Sequence, residues 1–174
     1  RINEFLKKKT QINDGQGINY KILGEITFKN VSLVYPETGI CALDSINLSL
    51  KPGKTLGIVG DVGSGKSTLL DLVPRLYDPS KGKIYIDKYM LQNFRLMELR
   101  KLIAYVPQNS FLFSGTIEEN IRFGNEKKAQ KNIIEASKKA CIHKNIMSFK
   151  NKYETIIGER GVTLSGGQIQ RISI

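Results

Sequence analysis

A chain of 174 residues, 40% hydrophobic and 25% charged, has the size and composition of one globular domain, which excludes disorder as its main state. Its apolar runs, such as residues 56–59, fall far short of the roughly 18 residues that a membrane-crossing helix needs. The excess of 27 basic over 16 acidic residues, +11 in all, suggests nucleic acid at first sight. Its placement argues otherwise: residues 122–152 hold nine Lys or Arg against Glu126 and Glu135, spread around a helical pattern rather than interleaved with aromatics, which reads as a solvated basic face. Cys41 and Cys141 have no Cys-x-x-Cys or histidine companion and read as reduced thiols of a cytosolic compartment.

In chain order, Ile2, Phe5 and Leu6 have helical spacing and residues 10–17 are polar, so residues 1–23 read as the end of a preceding helix and a linker. Strands are expected at residues 25–35, through Ile26, Phe28, Val31 and Leu33, and at residues 46–50, closed by the turn Lys51, Pro52, Gly53. Residues 55–60 form a short apolar run ending in glycine, which predicts a strand buried on both faces. A helix is predicted from Lys66, cut short by Pro74, which cannot donate to the carbonyl of Leu70. A strand at 82–87, a short helix at 96–102 and a second buried strand at 103–106 follow, and from Gln108 to Phe149 the pattern is mostly helical.

Directly after the first buried run stands Gly60, Asp61, Val62, Gly63, Ser64, Gly65, Lys66, Ser67, a full G-x-x-x-x-G-K-[ST] match opening a helix. Glycines let the backbone bend so that successive N–H groups point inward, and the helix amino terminus adds partial positive charge. This predicts a polyphosphate site at Gly60, Gly63, Ser64, Gly65, Lys66, Ser67 and Thr68, with Lys66 on the β- and γ-phosphates and Ser67 on Mg²⁺. Ninety-nine residues after Lys66, Leu164, Ser165, Gly166, Gly167 and Gln168 open another helical stretch. A hydroxyl, glycine N–H groups and a helix amino terminus again make an anion site, without a lysine.

With both motifs in this order, the sequence resembles the nucleotide-binding domain of ATP-binding cassette transporters, from about Gly24 to Ile174. The resemblance implies an α/β fold: a P-loop NTPase core of mainly parallel sheet, an antiparallel β-subdomain and an α-helical subdomain at about 110–174. It implies an ATPase using ATP and Mg²⁺, in which Tyr35 stacks on adenine, Gln108 contacts Mg²⁺ and water, and Ser165, Gly166, Gly167 and Gln168 contact nucleotide held by a second copy. Residues 111–117, residues 158–161 and residues 1–6 resemble the exporter branch. The implied partners are a second nucleotide-binding domain, in a homodimer or heterodimer, and a transmembrane domain outside this chain, at the cytoplasmic face of a membrane, with no nucleic acid.

Two rival readings are weaker. A chromosome or repair ATPase of the superfamily inserts a long coiled coil between the motifs, for which 99 residues leave no room, and a basic nucleic-acid module leaves both motifs unexplained. Against the family pattern, Lys88 replaces a hairpin glycine, which predicts a left-handed Lys88, and Ile169 replaces a polar residue, while Arg171 is kept. His143 precedes the signature, so it is not the family's switch histidine, and is expected on the surface at a helix end. The family's acidic strand, with its catalytic Glu, follows the signature by about twenty residues. Residues 1–174 alone are therefore expected to be a poor ATPase and a poorly folded fragment of a longer chain.

Overall fold

The computed structural model describes residues 10, 12–18, 21–124, 129–158 and 163–174. The expected helix end at residues 1–6, and Glu159, Arg160 and Gly161 of the exporter-like stretch, lie outside these. The chain divides into two compact units, Arg1–Ile103 and Ala104–Ile174.

In the first unit, β1 (Ile26–Val34), β2 (Cys41–Leu50), β3 (Lys81–Ile86) and β4 (Tyr89–Met90) form one sheet in the order β2-β1-β3-β4, every pair antiparallel. Phe28 faces Leu48 on one side and Ile84 on the other. A register shift between Phe28 and Val31 moves the core-facing set from even to odd positions, so Val31 and Leu33 stay buried. Left-handed Asn30 and Ser45 (φ 49° and 51°) flank it, and Asn47 pins it by accepting from the Asn30 N–H at 3.0 Å and donating to Asn30 Oδ1 at 2.7 Å. Helices α1 (Lys66–Asp71) and α2 (Leu96–Lys101) complete the unit, with Leu72, Leu91, Phe94 and Leu99 closing the core over the sheet.

The two strands expected at 55–60 and 103–106 are not formed. Leu56 is 41% and Val59 97% exposed, and neither segment enters a sheet. A central parallel strand needs a neighbour on each edge to satisfy its backbone groups, and no described strand runs beside either segment. The α/β class and the antiparallel subdomain hold; the parallel ladder is absent among the described residues.

Pro74 acts as expected: α1 stops at Asp71, and a Schellman turn follows in which Arg75 (φ 52°) donates to Leu72 O and Leu76 to Asp71 O. The Arg75 side chain then turns inward. It is 1% exposed, holds both carboxylate oxygens of Asp78 at 2.9 Å and donates to Asn13 O at 3.1 Å. Around it the segment 13–17 is docked: Gly15 and Gly17 donate to Phe94 O and Asn93 O, and Asp14 Oδ1 accepts from the first N–H of α2, Leu96, at 2.6 Å. A Cβ at Gly15 would fall 2.5 Å from the Asn93 and Phe94 backbone, so only glycine allows this approach.

The hairpin between β3 and β4 corrects another expectation. Asp87 (φ 54°), not Lys88, takes the left-handed conformation, and its carboxylate accepts from the N–H groups of Leu23, Gly24 and Glu25 at 2.8–3.0 Å. An aspartate tolerates this backbone, and here its side chain recovers three otherwise open donors. Burial raises the Asp87 pKa, but the bonds from Leu23, Glu25 and Gly24 outweigh it and hold the carboxyl below its ordinary 3.8.

In the second unit, β5 (Gly115–Thr116) pairs antiparallel with β6 (Ile156–Ile157) beside helices α3 (Ile117–Arg122), α4 (Gln130–Lys139), α5 (His143–Ser148) and α6 (Gly166–Ser173). Ile117, Ile133, Ile142, Ile146, Tyr153, Ile157 and Ile172 form its core. On α4, Ile133 and Ser137, one turn apart, face inward while Lys131, Lys138 and Lys139 are exposed, the amphipathic pattern of a solvated basic face. His143 is not the free surface residue expected: it is half-buried at the first position of α5, with Nδ1 bonded to Tyr153 Oη at 2.7 Å.

Candidate nucleotide site

The loop before α1 is shaped by its glycines. Gly63 and Gly65 have φ of 82° and 84°, and a Cβ at Gly65 would lie 2.3 Å from Ala42 O in β2, so the strand behind the loop demands glycine. A Cβ at Gly63 would meet nothing within 4 Å, so there only the backbone conformation selects glycine. The chain turns with Ser64 N donating to Asp61 O at 3.2 Å and enters α1 with Leu69 N on Gly65 O at 2.9 Å.

Lys66 folds back across this turn, with Nζ 2.9 Å from Gly60 O, 2.5 Å from Asp61 O and 3.4 Å from Ser64 Oγ. The amino terminus of α1 has no side-chain cap and no acidic residue in its first turn. Its leading N–H groups therefore lack the side-chain acceptor that usually satisfies them, and no carboxylate in that turn competes with an anion. An ammonium, a glycine-bent backbone and an uncapped helix start are the donor set that a polyphosphate requires.

Tyr35 follows β1. Its Oη bonds Thr68 Oγ1 at 2.9 Å, and its ring meets Tyr77 edge-on at 5.3 Å. Thr68 is buried, whereas Ser67 presents an exposed hydroxyl. The Tyr35–Thr68 bond, which fastens the aromatic to the helix that begins at Lys66, joins positions 33 residues apart and leaves no local sequence signal.

The other expected site residues belong to the second unit. Gln108 is exposed in a bend after Pro107, whose carbonyl accepts from Ser110 Oγ at 3.0 Å. Ser165 caps α6: its hydroxyl accepts from Gln168 N at 3.3 Å while Gln168 Oε1 accepts from Ser165 N at 2.9 Å. Gly166 and Gly167 are the first two residues of that helix, and a Cβ on Gly166 would meet nothing within 4 Å. Tyr105, Phe111, Phe113 and Phe123 line a cavity of about 280 Å³ on this unit, with Phe113 stacked on Phe123 at 4.5 Å and Phe111 70% exposed.

The phosphate loop and its helix define a P-loop nucleotide-binding domain. The family model for the ABC transporter matches residues 43–174. The chain is 47% identical over 174 residues to the ABC transporter ATP-binding protein YfiB of Bacillus subtilis (strain 168), covering 100% of this chain and 30% of that protein. It is 46% identical over 176 residues to ABC transporter B family member 4 of Dictyostelium discoideum (100% and 23%). It is 47% identical over 152 residues to the mitochondrial iron-sulfur clusters transporter atm1 of Neurospora crassa (87% and 21%). The chain belongs to the ABC transporter family, as an ATP-binding domain, and spans less than a third of the length of these relatives. The comparisons lend nothing to a chromosome ATPase or a nucleic-acid module. Among the described residues no helix is long and apolar enough to cross a membrane.

Proposed function

We propose that this domain binds and hydrolyses MgATP in a head-to-tail pair and thereby drives export through a transmembrane domain. The observation that carries the reading is the pair of unlike half-sites: an uncapped helix start with Lys66, and a self-capped helix start at Ser165 with no lysine. Each is half of a phosphate site, and a rotated second copy, identical or related, supplies the missing half to each. ATP is then held by the loop from Gly60 to Thr68, with Tyr35 under the adenine, and is covered by Ser165, Gly166, Gly167 and Gln168 of the opposite copy.

Nucleotide-bound Mg²⁺ is typically held by phosphate oxygens together with a few protein oxygens. Ser67 Oγ and Gln108 Oε1 are the neutral oxygens assigned to Mg²⁺, which when bound offsets the charge on the transferring phosphoryl group. Lys66 trades its carbonyl partners for phosphate oxygens, and Gln108 orients water without acting as a base. The exposed aromatics Phe111, Phe113 and Phe123 offer the apolar anchors that docking on membrane-domain loops requires. In this reading the domain works at the cytoplasmic face of a membrane.

Two variants of the full-length protein test the reading. Lys66→Ala is expected to abolish MgATP binding in titration calorimetry at low salt; unchanged affinity removes the phosphate-loop assignment. Ser165→Arg is expected to leave nucleotide binding to one copy intact and to eliminate ATP-dependent closure of the pair; closure that persists at saturating ATP removes the composite site. Residues 1–174 alone should release little phosphate.

A further inference from the structure

Helix α6 is eight residues long and buries a single side chain, Ile172. Its capping box lies within the helix and its leading residue, so it fixes where the helix starts but not how it is turned about its axis. Gln168, Ile169 and Ser173 are only half-buried, so Ile172 is the one deep anchor of the helix, and its rotation depends on a second attachment on another side. The next position, Arg171, leaves the axis about 100° away. Its Nη1 donates to Cys141 O at 3.3 Å, and the guanidinium leans back along the helix, as helical side chains do, until Nη2 lies 3.7 Å from where a Gly167 Cβ would be. Ile172 and Arg171 together are two attachments on different sides of one helix.

The acceptor is rigid for reasons the local sequence does not advertise. Cys141 (φ 56°) ends α4 in a Schellman turn, with its own N–H on Lys138 O at 3.0 Å and that of Ile142 on Ser137 O at 2.9 Å, and Ile142 is 1% exposed. The corner is also fastened by a one-way hydrogen-bond chain. Ser137 Oγ donates its only hydrogen to Ile134 O at 2.8 Å, so it accepts from Tyr153 Oη. Tyr153 has then used its hydrogen and accepts from His143 Nδ1–H at 2.7 Å, which fixes the histidine tautomer. Helices α4 and α5 and the turn around Tyr153 thus act as one block.

We infer that Arg171 is a positioning residue: by bonding the Cys141 carbonyl it sets the rotation of α6, and so the direction in which Ser165 and Gly167 face the nucleotide. The inference rests on the composite-site reading above. Its test uses the full-length transporter, following the ATP concentration for half-maximal closure of the paired domains with donor and acceptor dyes, alongside KM, kcat and thermal melting. A fluorescent ADP, which lacks the γ-phosphate, reports the phosphate-loop half alone.

Arg171→Ala is expected to raise the closure midpoint and KM about tenfold, the lower end for a hydrogen bond to a charged group at an exposed site. It should leave ADP affinity, melting temperature and saturating kcat nearly unchanged. Arg171→Lys, which keeps a donor for the same carbonyl, should recover at least half of the loss. An unchanged midpoint in Arg171→Ala, a loss that tracks a lowered melting temperature, or a lysine variant no better than alanine would each overturn the inference. If Ser165→Arg blocks closure while Arg171→Ala does not, this inference fails alone. If Ser165→Arg closes normally, the composite site fails and the inference falls with it.

Discussion

Replacing Gly65 by alanine separates the two demands the phosphate loop makes on its glycines. The new Cβ would lie 2.3 Å from Ala42 O and 3.1 Å from Leu43 Cδ2, in a residue held at φ 84°. Restoring an ordinary contact near 3.3 Å requires the start of α1 to retreat from β2 by about 1 Å, and a hydrogen bond stretched by that amount is lost. One N–H to a charged phosphate oxygen is worth about 1.5–3 kcal/mol, so ATP affinity should fall about 10- to 150-fold. The left-handed backbone adds about 1–2 kcal/mol of instability. Gly63→Ala shares that backbone cost at φ 82° but has open space, so it should lose stability with only a small change in affinity. Titration calorimetry and thermal melting on the two variants decide the matter. Equal affinity losses in both, or a loss below about threefold in Gly65→Ala, would refute the steric argument.

Arg75→Leu should cost about 3 kcal/mol in urea denaturation, the low end for breaking a buried pair, because Asp78 keeps a third of its side chain in solvent; amide exchange at Gly15 and Gly17 should accelerate with it. Asp87→Asn should be less stable than the parent at neutral pH. Because the folded carboxyl titrates below its ordinary value, its stabilisation is complete above about pH 4 and disappears as pH falls through the folded pKa, so the two melting curves should converge in acid and a constant gap would contradict the assignment.

The parts of this fold that were legible in the sequence are those set by local rules. The strand expected at 25–35 forms with Phe28, Val31 and Leu33 buried, Pro74 ends its helix, and the helical stretch expected after Leu164 starts at Gly166. The misses depend on distant partners. An apolar run at 55–60 looks the same whether or not strands stand beside it. Nothing near Arg75 marks it as buried, since its companions Asn13 and Gln92 come from far along the chain. His143 likewise needed Tyr153 and Ser137 to reveal its place.

The docking of residues 13–17 has a mechanical consequence. A free coil of five residues lets its ends wander by roughly 11–13 Å, slack that must be taken up before any pull is felt. Here Asn13 is gripped by a buried guanidinium, Gly15 and Gly17 are bonded to Phe94 and Asn93, and Asp14 is bonded to the start of α2. Tension arriving at residue 13 therefore meets a stiff joint rather than an entropic spring. It passes at once into Arg75, four residues beyond the end of the helix that begins with Lys66.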